Sequence, residues 1–286
     1  MSLKNDIQKK EKITITGAVL SFIIFSAILH FSNFSVSSIV DIQNYILKTI
    51  LLQSAGTNTI GAISVLLSPF AWIFIAMLFF VLGLAFLSAY GYYNINKSIG
   101  LICGIIGAVF VLVLLNLSII SIFFAVSLII CGMYIISLSN TYGKELKKWV
   151  FFRVGSHAIS KILLITNILI AIGIFIAIFA NIPVYENNFK TGITESMTTV
   201  AMASIPKSQD YLYNESTKQK LKQELSAAVE KSISDSPIFN AYVRWLPVTS
   251  AVTIWVLLEF LRSLIFSNIG GGFTAGIIRI LKRYNK

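Results

Sequence analysis

The sequence predicts an all-α fold, a polytopic integral membrane helical bundle of about six transmembrane helices with additional interfacial amphipathic helices. Of the 286 residues, 56% are hydrophobic and only 12% are charged, and the mean hydropathy is +0.80. A soluble domain needs more charge than this to cover its surface. The apolar residues also form long continuous runs, which favours spanning helices over the alternating strands of a barrel.

The first five runs are expected to form a membrane domain over residues 1–183. The run that starts at Ile13 follows several lysines and is longer than the core of a cleaved signal peptide, so we interpret it as a retained span. The stretch 99–138 is apolar over about twice the length that one span requires. Its polar break at 116–118 predicts two antiparallel helices joined by a tight hairpin. Gly100, Gly104 and Gly107 predict a close packing face on the first of these helices.

Residues 37–53, between the first two spans, are expected to form an amphipathic helix. Its polar and apolar residues follow separate helical stripes: Asp41, Asn44 and Lys48 on one, and Ile39, Ile42, Ile46 and Ile50 on the other. This pattern is typical of a helix that lies in the membrane interface. A re-entrant segment is the alternative.

Residues 184–240 are polar and are expected to form an extracytoplasmic loop that contains a short helix. An apolar stripe in its second half repeats at every fourth position: Leu221, Leu225, Val229 and Ile233. One stripe on a helix this short does not fold alone. We therefore interpret it as a docking face for the membrane domain, for the 37–53 helix or for another subunit.

Residues 241–269 are expected to form the sixth span, and they contain two ionisable residues, Glu259 and Arg262. Each charge costs about 2.5–3.5 kcal/mol at the centre of a span. A carboxylate and an arginine three residues later can pair along one helix face. We predict an inward-facing pair with a binding role. The alternative is that Arg262 extends to the headgroups while Glu259 only neutralises it.

Residues 270–286 begin with three consecutive glycines and are expected to form a hinged, basic amphipathic helix. Its cations recur at helical spacing: Arg279, Lys282, Arg283 and Lys286. This arrangement is typical of a helix that binds the anionic lipid headgroups of a leaflet.

The whole net charge of +11 lies in four segments, namely 1–12, 89–98, 140–161 and 270–286. The segments between them are neutral. Only an even number of spans places all four on one side, and the positive-inside rule makes that side cytoplasmic. We therefore expect a multi-pass protein of the cell membrane with both termini in the cytoplasm.

Sequence motifs of catalysis, of metal coordination and of phosphate binding are absent, so we expect no enzymatic activity, no metal and no cofactor. The basic charge forms no face on a soluble domain, which argues against nucleic acid as a partner. The expected partners are the lipid bilayer, its anionic headgroups, and other membrane subunits or further copies of the chain. Two functions fit: a non-enzymatic scaffold or assembly subunit, and a transporter or channel with Glu259 in its pathway.

Overall fold

The computed structural model describes residues 2–32, 60–94, 96–203 and 215–283. Within them the chain is helical, without strands. In chain order the helices are α1 (Ser2–Phe31), α2 (Ile60–Tyr93), α3 (Lys97–Leu114), α4 (Ile119–Glu145), α5 (Val150–Ala180), α6 (Ile182–Ala203), α7 (Glu215–Ser234), α8 (Pro237–Arg244), α9 (Leu246–Leu261) and α10 (Ser267–Arg283). A π-helical turn, Arg262–Phe266, joins α9 to α10. The predicted interfacial helix at 37–53 lies outside the described residues.

Six helical stretches of the described chain are long and apolar enough to cross a bilayer: Glu11–Phe31, Ala71–Tyr93, Lys97–Leu114, Ile119–Glu145, Val150–Ala180 and Leu246–Arg283. Their lengths and composition match the requirement for backbone groups to be hydrogen-bonded within each spanning segment. The predicted all-α membrane bundle is confirmed, and the chain is a multi-pass membrane protein.

The chain divides into two compact units. The first unit comprises Met1–Phe34, Ala71–Gly173 and Val252–Lys286. Its core is aromatic and aliphatic: the ring of Phe25 lies 5.2 Å from that of Phe80 and 5.7 Å from that of Phe124. These three rings belong to α1, α2 and α4, so they hold three spans together through dispersion and packing.

Within the first unit, α3 and α4 form the predicted hairpin. Asn116 and Leu117 have φ values of 53° and 50°, and the hydroxyl of Ser118 accepts a hydrogen bond from the backbone N–H of Ser121 to cap α4. The two helices then approach so closely that a Cβ atom on Gly100 would overlap the carbonyl oxygen of Gly132. The glycine packing face predicted on α3 is therefore confirmed, since small residues allow helix backbones to meet.

The second unit comprises Ser35–Phe70 and Ile174–Ala251. Its described part contains α6, α7 and α8, so the segment expected to hold one short helix holds three. In α6, apolar residues recur at every fourth position (Tyr185, Phe189, Ile193 and Met197) among threonines and asparagines. Those polar residues have low helix propensity, and burial of the apolar stripe against α7 outweighs it.

The glycine triplet differs from the expected hinge. Gly270, Gly271 and Gly272 lie inside α10, and the apolar stretch continues from Leu246 to Arg283. Glycine is tolerated within a spanning helix because it permits close contact with a neighbour. Here a Cβ on Gly271 would lie 2.8 Å from the carbonyl oxygen of Phe152, so this face of α10 packs directly on α5.

Candidate functional sites

Glu259 and Arg262 lie one helical turn apart at the junction of α9 and the π-helical turn. The Nε atom of Arg262 donates to Oε2 of Glu259 at 2.8 Å, and its Nη2 atom donates to Oε1 of the same carboxylate. This two-point contact between a guanidinium and a carboxylate fixes the orientation of both groups. The structure thus brings the two predicted residues together as an ion pair.

Two residues of α5 complete this cluster. The Nδ2 atom of Asn167 donates to Oε2 of Glu259 at 3.4 Å, and Nη1 of Arg262 donates to the carbonyl oxygen of Ser160 at 3.3 Å and to its hydroxyl. Asn167 is buried. The pair therefore links the fifth and sixth spans of the first unit.

Sequence reasoning missed Asn167 and Ser160, although their spacing contained the necessary information. They lie seven residues apart, so they occupy one face of α5. A polar side chain that is buried within a span requires a hydrogen-bonding partner, and an intramembrane ion pair is a suitable one.

The π-helical turn begins at Arg262, and no sequence pattern predicted it. The backbone N–H and the hydroxyl of Ser267 both donate to the carbonyl oxygen of Arg262, the hydroxyl at 2.7 Å. Single π turns inside α-helices are often found at functional sites, because they change the direction in which neighbouring side chains point. This turn alters the helical register between Glu259 and the glycines that pack on α5.

The chemistry available to the cluster is limited by its hydrogen bonds. Both oxygens of Glu259 already accept hydrogen bonds from Arg262, and the side chains of the two residues are 25% and 18% exposed. A cation bound by this carboxylate would compete with a guanidinium held in place by Ser160. The geometry is that of a cross-link between helices. A binding role for the pair stays a prediction.

A second polar cluster joins α5 to α4. The hydroxyl of Ser127 donates to that of Thr166 at 2.9 Å, and the Sγ atom of Cys131 lies 3.3 Å from the same oxygen. All three side chains are buried. Because each polar group has a partner, this cluster satisfies the hydrogen-bonding requirement of the helix interface.

The predicted docking face on α7 lies in the second unit and packs on α6, the helix that the sequence did not predict. Ile233 is buried, whereas Leu221, Leu225 and Val229 are half-buried. Lys190 of α6 and Glu230 of α7 add a 3.8 Å ion pair. Part of the apolar stripe is thus covered by α6, and part of it is still accessible.

The accessible part lines an open groove of about 660 Å³ in the second unit. Its lining is largely apolar and comes from three helices: Phe189, Ile193 and Met197 on α6; Leu225, Ala228, Val229, Ser232 and Ile233 on α7; and Ile238, Phe239 and Tyr242 on α8 with the preceding Ser236. The rings of Phe239 and Tyr242 stack on Phe189 at centroid distances of 6.1 Å and 5.3 Å.

The basic residues predicted to contact lipid lie on α10. Arg279, Lys282 and Arg283 are exposed, and Lys286 lies outside the described residues. The Nζ atom of Lys282 lies 4.3 Å from the centroid of the Phe151 ring at the start of α5. The described chain contains no cluster of three or more His, Cys, Asp or Glu residues suited to a metal ion.

Comparisons with models of protein families, with curated proteins and with solved structures find no match to this chain.

Proposed function

We propose that the chain is a non-enzymatic membrane scaffold or assembly subunit, and that the groove of the second unit binds an apolar helix of a partner subunit. The observation that supports this proposal is the groove itself, because contiguous exposed apolar surface is typical of a site of interaction. The α6–α7 pair buries only part of its apolar stripes. Covering the remaining apolar surface with another apolar element lowers the free energy of the complex.

The shape of the groove favours a helix as the occupant. Along α6 its lining extends from Phe189 to Met197, which corresponds to about 12 Å of helix. A partner helix covers this length with apolar side chains at positions i, i+3 or i+4, and i+7. Ile238 is 83% exposed at the groove and provides an apolar contact for such a helix. The described lining contains two serines and one tyrosine but no charged side chain, which argues against a charged occupant.

A transporter or channel with Glu259 in its pathway is supported less well. A transported cation would have to displace Arg262 from both carboxylate oxygens, and Arg262 is also held by Ser160. Breaking such a pair leaves an uncompensated charge within a span, which is costly. The cluster fits a structural link better than a step in permeation.

The orientation completes the proposal. We place the protein in the cell membrane with both termini in the cytoplasm. Six spans put the four basic segments on one side, and the positive-inside rule assigns that side to the cytoplasm. The groove then faces the opposite side, where it is accessible to a partner's extramembrane helix.

The test is purification of the full-length, tagged chain from its native membrane in mild detergent, followed by measurement of the mass of the complex. We expect a stoichiometric complex with a different chain. A photoreactive residue introduced at Val229 should cross-link to that chain. Ile238→Ser should release the partner without affecting thermal stability, because this side chain is almost fully exposed.

The matched control is Lys220→Gln with Lys222→Gln on the exposed side of α7, which should retain the partner. A mass of one chain, or of two identical chains, would contradict the proposal. Retention of the partner by both Ile238→Ser and Leu225→Ser would also contradict it.

A further inference from the structure

Two basic segments that are distant in sequence share one surface of the first unit. They are the connection 146–149 with the first turn of α5, and the end of α10. Phe151 joins them: Lys282 lies 4.3 Å above its ring, and Tyr92 contacts its edge at a centroid distance of 5.4 Å. The hydroxyl of Tyr93 donates to the carbonyl oxygen of Ile278 at 3.1 Å, which fixes α10 beside the end of α2.

The cations on this surface are exposed. They are Lys147, Lys148, Arg153, Arg279, Lys282 and Arg283. Among the residues that the structure describes, none of the six is in an ion pair with a carboxylate. Because these cations are exposed, their positive charge is available to an external anion.

Trp149 lies within the same surface and has an unusual conformation. Its φ is 54°, and its side chain is 80% exposed. A bulky residue rarely adopts positive φ, because the conformation costs energy. Trp149 directly follows Lys147 and Lys148 in the sequence, and its exposure leaves the indole accessible. Tryptophan is favoured at the boundary between headgroups and acyl chains.

We propose that residues 147–153 and the end of α10 form a single binding surface for the phosphate-bearing headgroups of an anionic leaflet, with the Trp149 indole inserted at the interface. The surface lies where α4 ends, where α5 begins and where α10 ends. Helices α4 and α5 each contain a candidate span, and α10 forms the end of the candidate span Leu246–Arg283. Spanning helices end at the bilayer boundary, so the cations lie at headgroup level. The two segments act together because Phe151 and Lys282 are in contact.

The experiment uses the full-length chain in detergent, titrated with fluorescent phosphatidylglycerol and, separately, with phosphatidylcholine that carries the same dye. Tight, salt-sensitive binding is expected for the first lipid only. Lys147→Gln with Lys148→Gln should weaken binding by about 30-fold, because each basic residue near an anionic surface contributes roughly a factor of five. Arg279→Gln with Arg283→Gln should weaken it by a similar factor, and the Lys220→Gln, Lys222→Gln control should not.

Trp149→Gly separates the role of the indole from that of the fold. Glycine adopts positive φ readily, so thermal stability should not fall, whereas lipid affinity should fall with an unchanged salt dependence. Unaltered affinity in the Lys147→Gln, Lys148→Gln variant would overturn the shared surface. Displacement of the lipid by millimolar inorganic phosphate would assign the surface to a free anion and overturn the leaflet assignment.

Discussion

At the scale of single residues, the most informative contact is that between Glu259 and Arg262. Each charge would be costly alone in a span, but the carboxylate accepts hydrogen bonds from Arg262 and Asn167, and the guanidinium also donates to Ser160. The sequence predicted the pair from its spacing on one helix. It did not predict the hydrogen-bonding partners on α5, because the packing of the whole bundle determines which residues of two helices face each other.

Glu259→Leu should destabilise the protein more than the double change Glu259→Leu, Arg262→Leu. Removing one partner of a buried pair costs about 3–5 kcal/mol, whereas replacing both with apolar residues is often nearly neutral. The partial exposure of both side chains places this pair at the lower end of that range. Thermal unfolding in detergent measures the difference.

The control for this prediction is Thr253→Leu on an exposed position of α9, which should leave stability unchanged. Equal stability of Glu259→Leu and the wild type would show that Arg262 is independent of Glu259. A double variant that folds but abolishes an ion flux measured for the wild type in liposomes would restore the transporter as the better hypothesis.

At the scale of helices, small residues determine where the spans meet. The contact between α3 and α4 depends on the absence of a side chain at Gly100 and Gly132, and the contact between α5 and α10 depends on Gly155 beside Thr274. Helix association in lipid gains from such close packing, because the hydrophobic effect does not operate between apolar helices there.

Gly132→Leu should therefore separate α3 from α4 and destabilise the protein by at least about 1–3 kcal/mol, the usual cost of overpacking. Gly276→Ala is the matched control, because no atom lies within 4 Å of the position its Cβ would occupy. It should be neutral or slightly stabilising, since alanine is the better helix former. Thermal unfolding in detergent compares the two variants, and equal melting temperatures would contradict the packing account.

The helices also show what the sequence could and could not predict. The spans, the 116–118 hairpin and the glycine face on α3 followed from hydropathy and spacing alone. Helix α6 was missed because its threonines and asparagines obscured a four-residue apolar repeat. The π-helical turn has no local sequence signature. The glycine triplet of α10 is typical of a hinge in sequence, and only its contact with α5 shows that it is a packing face.

At the scale of the whole molecule, the chain combines six helical stretches that can cross a bilayer with the helices α6, α7 and α8, which the candidate spans do not include. The net charge of +11 lies in the four segments 1–12, 89–98, 140–161 and 270–286, at or near the ends of the candidate spans, and the other segments are neutral. With six spans, we propose that both termini lie on one side of the membrane and the helices α6, α7 and α8 on the other. The groove proposal and the lipid proposal both require this arrangement, since they assign the two surfaces to opposite sides.

The central claim is this six-span arrangement, and labelling of single cysteines in intact cells tests it most directly. The native Cys103 and Cys131 are buried, so an introduced thiol reports its own position. Lys222→Cys on α7 should react with a membrane-impermeant maleimide in intact cells, whereas Lys148→Cys should react only after permeabilisation. Tags at residues 1 and 286 should likewise be accessible to an antibody only after permeabilisation. Labelling of Lys148→Cys in intact cells, or exposure of only one terminus, would contradict the account.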